Sequence, residues 1–235
     1  MNHNKLIAAA LFSLCAVSAA AQTFGPTQPQ NVLQLTATGT VEVQQDLLTL
    51  NLTTTREGSD AAAVQNQLKA ALDAALTEAK KAALPGQLDL RTGNFSLYPR
   101  YTRDQKISGW SGTAELVLEG RDFPRITTTA AKIQTMTMGG VGFSLSREQR
   151  SRVEGEAQAI AIERFKAKAT ELAKGFGFSG YTLREVAVNA NDQGYPRPPR
   201  MMAMEMKSAQ ADAPVPVEAG KSSVVVTVSG SVQLR

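Results

Sequence analysis

Apolar and polar residues alternate through Leu33, Leu35, Ala37, Gly39, Val41 and Val43, the period of a half-buried strand. The same period resumes at Leu48, Leu50 and Leu52 after Gln44-Gln45-Asp46, so a second strand is expected, paired with the first as a hairpin. From Asp60 the pattern becomes helical. Val64, Leu68, Leu72, Leu76 and Ala79 line one face, Ser59 or Asp60 is placed to cap the first turn, and the helix ends near Pro85-Gly86. Strands return over 88–98 and 110–119, and the polar stretch 99–108 between them is expected to form the tip of a long hairpin. Asp122 caps a second helix that tolerates Pro124 in its first turn and turns Phe123, Ile126, Ala130 and Ile133 to one side. Gly139-Gly140 is expected to stop it, and Val141, Phe143 and Leu145 make a short strand.

The third helix is the longest. Ser146 followed by Gln149 has the form of a capping box, and Val153, Ala157, Ala161, Phe165, Ala169, Leu172 and Phe176 form a stripe that Gly175 and Gly177 bring to an end. Leu183 to Val188 reads as a strand. Residues 189–221 then break all periodicity and hold five of the ten prolines and four of the seven methionines, which points to an excursion from the domain. Val224, Val226, Val228, Gly230, Val232 and Leu234 close the chain as a long strand expected to pair inside a sheet. The order ββαββαβαββ predicts an α+β fold, an antiparallel sheet with helices packed on one face. Its middle six elements spell the split βαβ of a ferredoxin-like core.

Composition matters most at the start of the chain. Lys5, an apolar run from Leu6 to Val17 and the small triplet Ala19, Ala20, Ala21 have the order of a secretory signal peptide, cleaved after Ala21. The run is too short to span a bilayer, and no later stretch is long or apolar enough to do so. Phe12, Ser13 and Leu14 precede Cys15, and bulky Leu14 stands where lipid attachment requires a small residue, so lipidation is not expected. The resulting division is a signal peptide over 1–21, a flexible lead-in over 22–31 and one domain over 32–235.

Removing the leader also removes chemistry. His3 and Cys15 are the sole histidine and cysteine, so the exported chain is expected to lack both. Zinc sites built on those residues, thiol nucleophiles, imidazole triads and disulfides are then closed to it. Charge adds little: without Lys5, 24 basic residues stand against 21 acidic, no footprint for nucleic acid.

Taken in order, Gly39, Asp46-Leu47-Leu48, Thr92, Leu97-Tyr98-Pro99-Arg100-Tyr101 and Ile107-Ser108-Gly109-Trp110 form a set of landmarks. The ladder Ala157, Ala161, Ala169, Ala173 before Gly175 and Gly177, and Gly220 before a valine-rich strand, complete it. In this order the sequence resembles the SIMPL domain family, found mainly in the periplasm or envelope of Gram-negative bacteria. It departs from the family at Gln45, where proline is usual, at Trp110, where tyrosine is commoner, and at Ser229-Gly230-Ser231, which interrupts an otherwise apolar strand. The resemblance implies a periplasmic protein, often oligomeric, with no established enzymatic activity. Some members are connected with oxidative-stress defence or with surface antigens. It supplies no catalytic residue and no cofactor.

Two clusters carry candidate chemistry. Met201, Met202, Met204 and Met206 offer soft thioethers that suit Cu(I) and can absorb oxidants as sulfoxides, although methionine also packs readily on irregular surfaces. Tyr98, Arg100, Tyr101 and Trp110 gather near the predicted hairpin tip with Arg103, the mixture that interaction hot spots use. The plainer reading is that Tyr98 and Trp110 face each other across the hairpin. Asp46, Glu57, Asp104 and Glu115 could serve a hydrolase, but no spacing selects a pair. Asn51-Leu52-Thr53 and Asn94-Phe95-Ser96 match the glycosylation pattern within strands and read as chance. The expectation is therefore a non-catalytic exported protein that associates with itself or with envelope partners. The alternatives are a copper-binding or oxidant-buffering methionine protein and a carboxylate hydrolase.

Overall fold

A computed structural model describes residues 30–191 and 216–235. Among them the elements run β1 (Val32–Gln44), β2 (Leu47–Gly58), α1 (Ala61–Lys80), β3 (Asp89–Tyr101), β4 (Ile107–Gly120), α2 (Phe123–Lys132), β5 (Thr137–Ser144), α3 (Arg147–Gly175), β6 (Tyr181–Asn191) and β7 (Lys221–Leu234). The class is α+β and the order is ββαββαβαββ, as the periodicity predicts. The strands divide between two antiparallel sheets, one ordered β1-β7-β6 and the other β3-β4-β2-β5. The second carries α1 and α2 on one face and has the strand order of a ferredoxin-like core. The three-stranded sheet carries α3.

The expected β1–β2 hairpin does not form. β1 pairs with β7 along its whole length, Val32 opposite Gln233 through Gln44 opposite Lys221, while β2 pairs with β4 and β5. A two-residue hairpin needs positive φ and so favours Asn-Gly or Asp-Gly, whereas neither Gln45 nor Asp46 has positive φ and the pair carries the chain from one sheet to the other. Buried Gln45 is tied to both sides: its N–H donates to Gly220 O at 2.9 Å, and its Nε2 donates to Phe143 O at 3.2 Å and Ser222 Oγ at 3.1 Å. A glutamine can make these bonds where the family's proline would supply no N–H.

The helices begin where the sequence places caps. Asp60 accepts from the Ala63 N–H at 2.7 Å, Asp122 from Arg125 N–H at 3.0 Å, and Ser146 Oγ from Gln149 N–H at 3.2 Å. The Arg125 N–H, with its guanidinium close behind, holds the Asp122 carboxyl below the usual aspartate range. α2 ends at Lys132, and Gly139-Gly140 lies inside β5 instead of stopping the helix. Phe176, expected on the buried stripe, is the C-cap of α3 and is exposed; Ala173 takes the buried position.

Two main cores follow. Leu48, Leu50 and Leu52 of β2 and Leu116 and Leu118 of β4 pack under Leu72 and Ala75 of α1 and Ile126 of α2. Leu35, Val228, Val232 and Leu234 pack under Ala161, Phe165, Ala169 and Ala173 of α3. Each fully buried leucine contributes about 1.5–3 kcal/mol. The alanines let α3 lie directly on β1, so close that a Cβ on Gly39 would stand 1.9 Å from Ala157 O. Gly230, which interrupts the last strand's apolar run, has an equally local reason: a Cβ there would stand 2.2 Å from Glu185 O, where β6 bulges against β7. β7 nonetheless pairs on both sides.

Candidate functional site

The β3–β4 hairpin is longer and its tip shorter than the sequence predicts, because the strands continue to Tyr101 and resume at Ile107. The turn is closed by the Thr102 N–H, which donates to Lys106 O at 2.8 Å, and Gln105 sits at φ 60.

 Ser108 Oγ donates to Arg100 O at 3.1 Å across the tip.

Tyr98 and Arg100 point to the sheet face that no helix covers, and Trp110 points the other way. In the register Tyr98 lies opposite Ser111, and Trp110 lies opposite Pro99. The expected Tyr98–Trp110 pair therefore does not form, since directly opposed residues share a face and these two are not opposed. Trp110 is half-buried against Val64, Leu68, Ala114 and Leu97, so it anchors the hairpin on α1 and leaves the contact surface. Tyr98 and Tyr101 remain 66% and 61% exposed, with Ile107 exposed beside them. Arg100 forms an ion pair with Glu57, whose other oxygen accepts from Ser111 Oγ at 3.4 Å. The hairpin thus gathers Tyr98, Arg100 and Tyr101, a rigid strand pair bearing two exposed phenols and a guanidinium.

The carboxylates considered for hydrolysis are placed apart. Glu57 is opposite Ser111 and Glu115 opposite Thr53, four residues along one strand, so their backbone positions are about 13 Å apart. Glu115 also accepts the Asn94 N–H at 3.0 Å, within the β3 bulge. Asp46 accepts the Ser146 N–H at 2.7 Å and the Ser146 hydroxyl at 2.6 Å. Asp104 lies in the hairpin turn. A glycosidase pair faces across about 5–10 Å, which Glu57 and Glu115 do not offer from these positions. Among the described residues no group of three or more His, Cys, Asp or Glu side chains could hold a metal ion. Met201, Met202, Met204 and Met206, with most of the 189–221 excursion, lie outside the described residues, as does the leader with its Cys15.

Two features escaped the sequence reading. The first is the Asp46–Ser146 lock between the sheets, reinforced by Arg121, which reaches Asp46 at 3.7 Å and also pairs with Glu148. A polar residue next to a predicted cap was its only trace. The second is the edge strand β6, where Leu183, Val186 and Val188 are exposed although their sequence reads as an ordinary buried strand.

Among the described residues no helix is long and apolar enough to cross a membrane. The 26 kDa periplasmic immunogenic proteins of Brucella melitensis and Brucella abortus are each 26% identical to this chain over 218 residues, spanning 86% of this chain and 84% of theirs. Solved structures of AtUAH with glyoxylate or (S)-hydroxyglycine align at 12% identity over 56% and 57% of this chain and 34% of those chains. Their TM-score of 0.27 carries no argument about fold or activity. The model of the SIMPL family, described as a protein of unknown function (DUF541), matches residues 33–232, and this chain therefore belongs to the SIMPL family.

Proposed function

We propose that this protein is an exported, periplasmic and non-catalytic member of its family that acts by associating with copies of itself or with envelope partners. Its leader, residues 1–21, is removed on export, and residues 32–235 work as one domain. Exposed apolar side chains on rigid strands carry the reading: Tyr98, Tyr101 and Ile107 on the hairpin, and Leu183, Val186 and Val188 on β6. The names of the Brucella relatives support the compartment. A place in oxidative-stress defence rests on the family resemblance.

Light scattering of the exported chain over a range of micromolar concentrations tests self-association. A mass of at least two chains is expected, and a strictly monomeric protein throughout would contradict that arm. A second reading, copper binding or oxidant buffering, stands on four methionines within residues 201–206. It requires that replacing all four by leucine lower Cu(I) affinity, and equal affinity in the two proteins removes its copper arm.

A further inference from the structure

The two described sheets have four edges, and three of them are obstructed by the chain itself. Along β1, the Thr38 and Thr36 carbonyls accept from Arg164 Nη1 at 2.8 Å and Lys168 Nζ at 3.4 Å, both from α3. β3 is broken by its bulge between Thr92 and Phe95 and carries Pro99, which has no N–H to offer. β5 is only eight residues long and includes Gly139, Gly140 and Gly142. β6 has eleven residues with neither proline nor glycine, and among the described residues it pairs with β7 alone.

The outward groups of β6 follow from its register. Gly180 and Arg235 exchange both backbone bonds at 2.9 Å, and antiparallel pairs alternate between bonded and unbonded. Carried through the bulge between Leu183 and Glu185, that alternation turns the N–H and C=O of Leu183, Val186 and Val188 away from β7. Leu183 and Val188 lie opposite Val232 and Val228, which are buried under α3, so their side chains share the α3 side of the sheet. They are nonetheless 56% and 45% exposed, and Val186 is 45% exposed, because α3 rests mainly on β1 and β7. Unpaired backbone and uncovered apolar side chains therefore coincide at three positions.

We propose that this edge pairs antiparallel with β6 of a second copy of this chain, about a twofold axis between Arg184 and Glu185. In that register Leu183 lies against Val186 of the second copy, and Arg184 lies against its Glu185, each contact occurring twice. The bulge permits it, because it brings Leu183 and Val186 to one face although they are three residues apart. Charge complementarity favours a second copy: across the twofold the same two residues, Arg184 and Glu185, supply both opposite charges, whereas an unrelated strand would have to carry a matching pair of its own. The inference rests on the self-association reading and names its surface.

Sedimentation of the exported chain tests it with Arg184→Glu, Glu185→Arg, the double reversal, and Val186→Lys. The wild type is expected to dimerise or assemble further. Each single reversal and Val186→Lys should weaken association about tenfold or more, and the double reversal should restore most of the loss. Unchanged circular dichroism and unfolding midpoints would show that the variants fold. A monomeric wild type would overturn both this proposal and the self-association arm of the reading beneath it. An associating wild type whose affinity is indifferent to these variants would overturn the β6 surface alone.

Discussion

Gly39→Ala is expected to be among the most damaging single substitutions in the chain, costing roughly 3–5 kcal/mol of stability. The new Cβ would stand 1.9 Å from Ala157 O and 2.7 Å from Ala161 N, both main-chain atoms of α3. Side chains can rotate away from an intruding methyl, but a helix backbone can yield only by lifting off β1. Lifting it would loosen Phe165, Ala169 and Ala173 from Leu35 and Val228 at the same time. Against a total stability of about 5–15 kcal/mol, much of the folded population would be at risk. Urea unfolding checks this, with Gly142→Ala as the control: nothing lies within 4 Å of a Cβ built there, so a near-neutral change is expected. Equal midpoints for the two variants would contradict the close approach of α3 to β1.

Asp46→Ala is expected to cost about 2–4 kcal/mol, by a different mechanism. Ser146 is buried, and Asp46 accepts both its N–H and its hydroxyl. Alanine would leave the N–H without that acceptor and weaken the cap of α3, while Arg121 would lose one of its two carboxylate neighbours. Ser146→Ala should cost less, about 1–2 kcal/mol, and the double variant should fall short of the sum. Additive losses in a double-mutant cycle of denaturation curves would show that the two residues are not coupled.

The sequence made the elements legible because local period is set by which side of a strand or helix is buried. Pairing is another matter, since β1 meets β7 across nearly the whole chain and no local pattern records that distance. A sign was nevertheless present: Gln44-Gln45-Asp46 lacks the glycine or asparagine that a tight hairpin turn requires. The inward position of Trp110 was legible too, for it shares parity with Ala114, Leu116 and Leu118. The exposure of β6 was not. Its valines alternate as those of a covered strand do, and only the placement of α3 over β1 and β7, with a bulge at Arg184, leaves them open.

Residue-resolved amide hydrogen exchange at low and high protein concentration tests most directly whether this protein works through a paired edge. The N–H groups of Leu183, Val186 and Val188 should exchange quickly in dilute protein and become protected as its mass rises, while those of β7 stay protected throughout. Rising mass with no gain of protection at these three amides, or no rise in mass at all, would contradict the account.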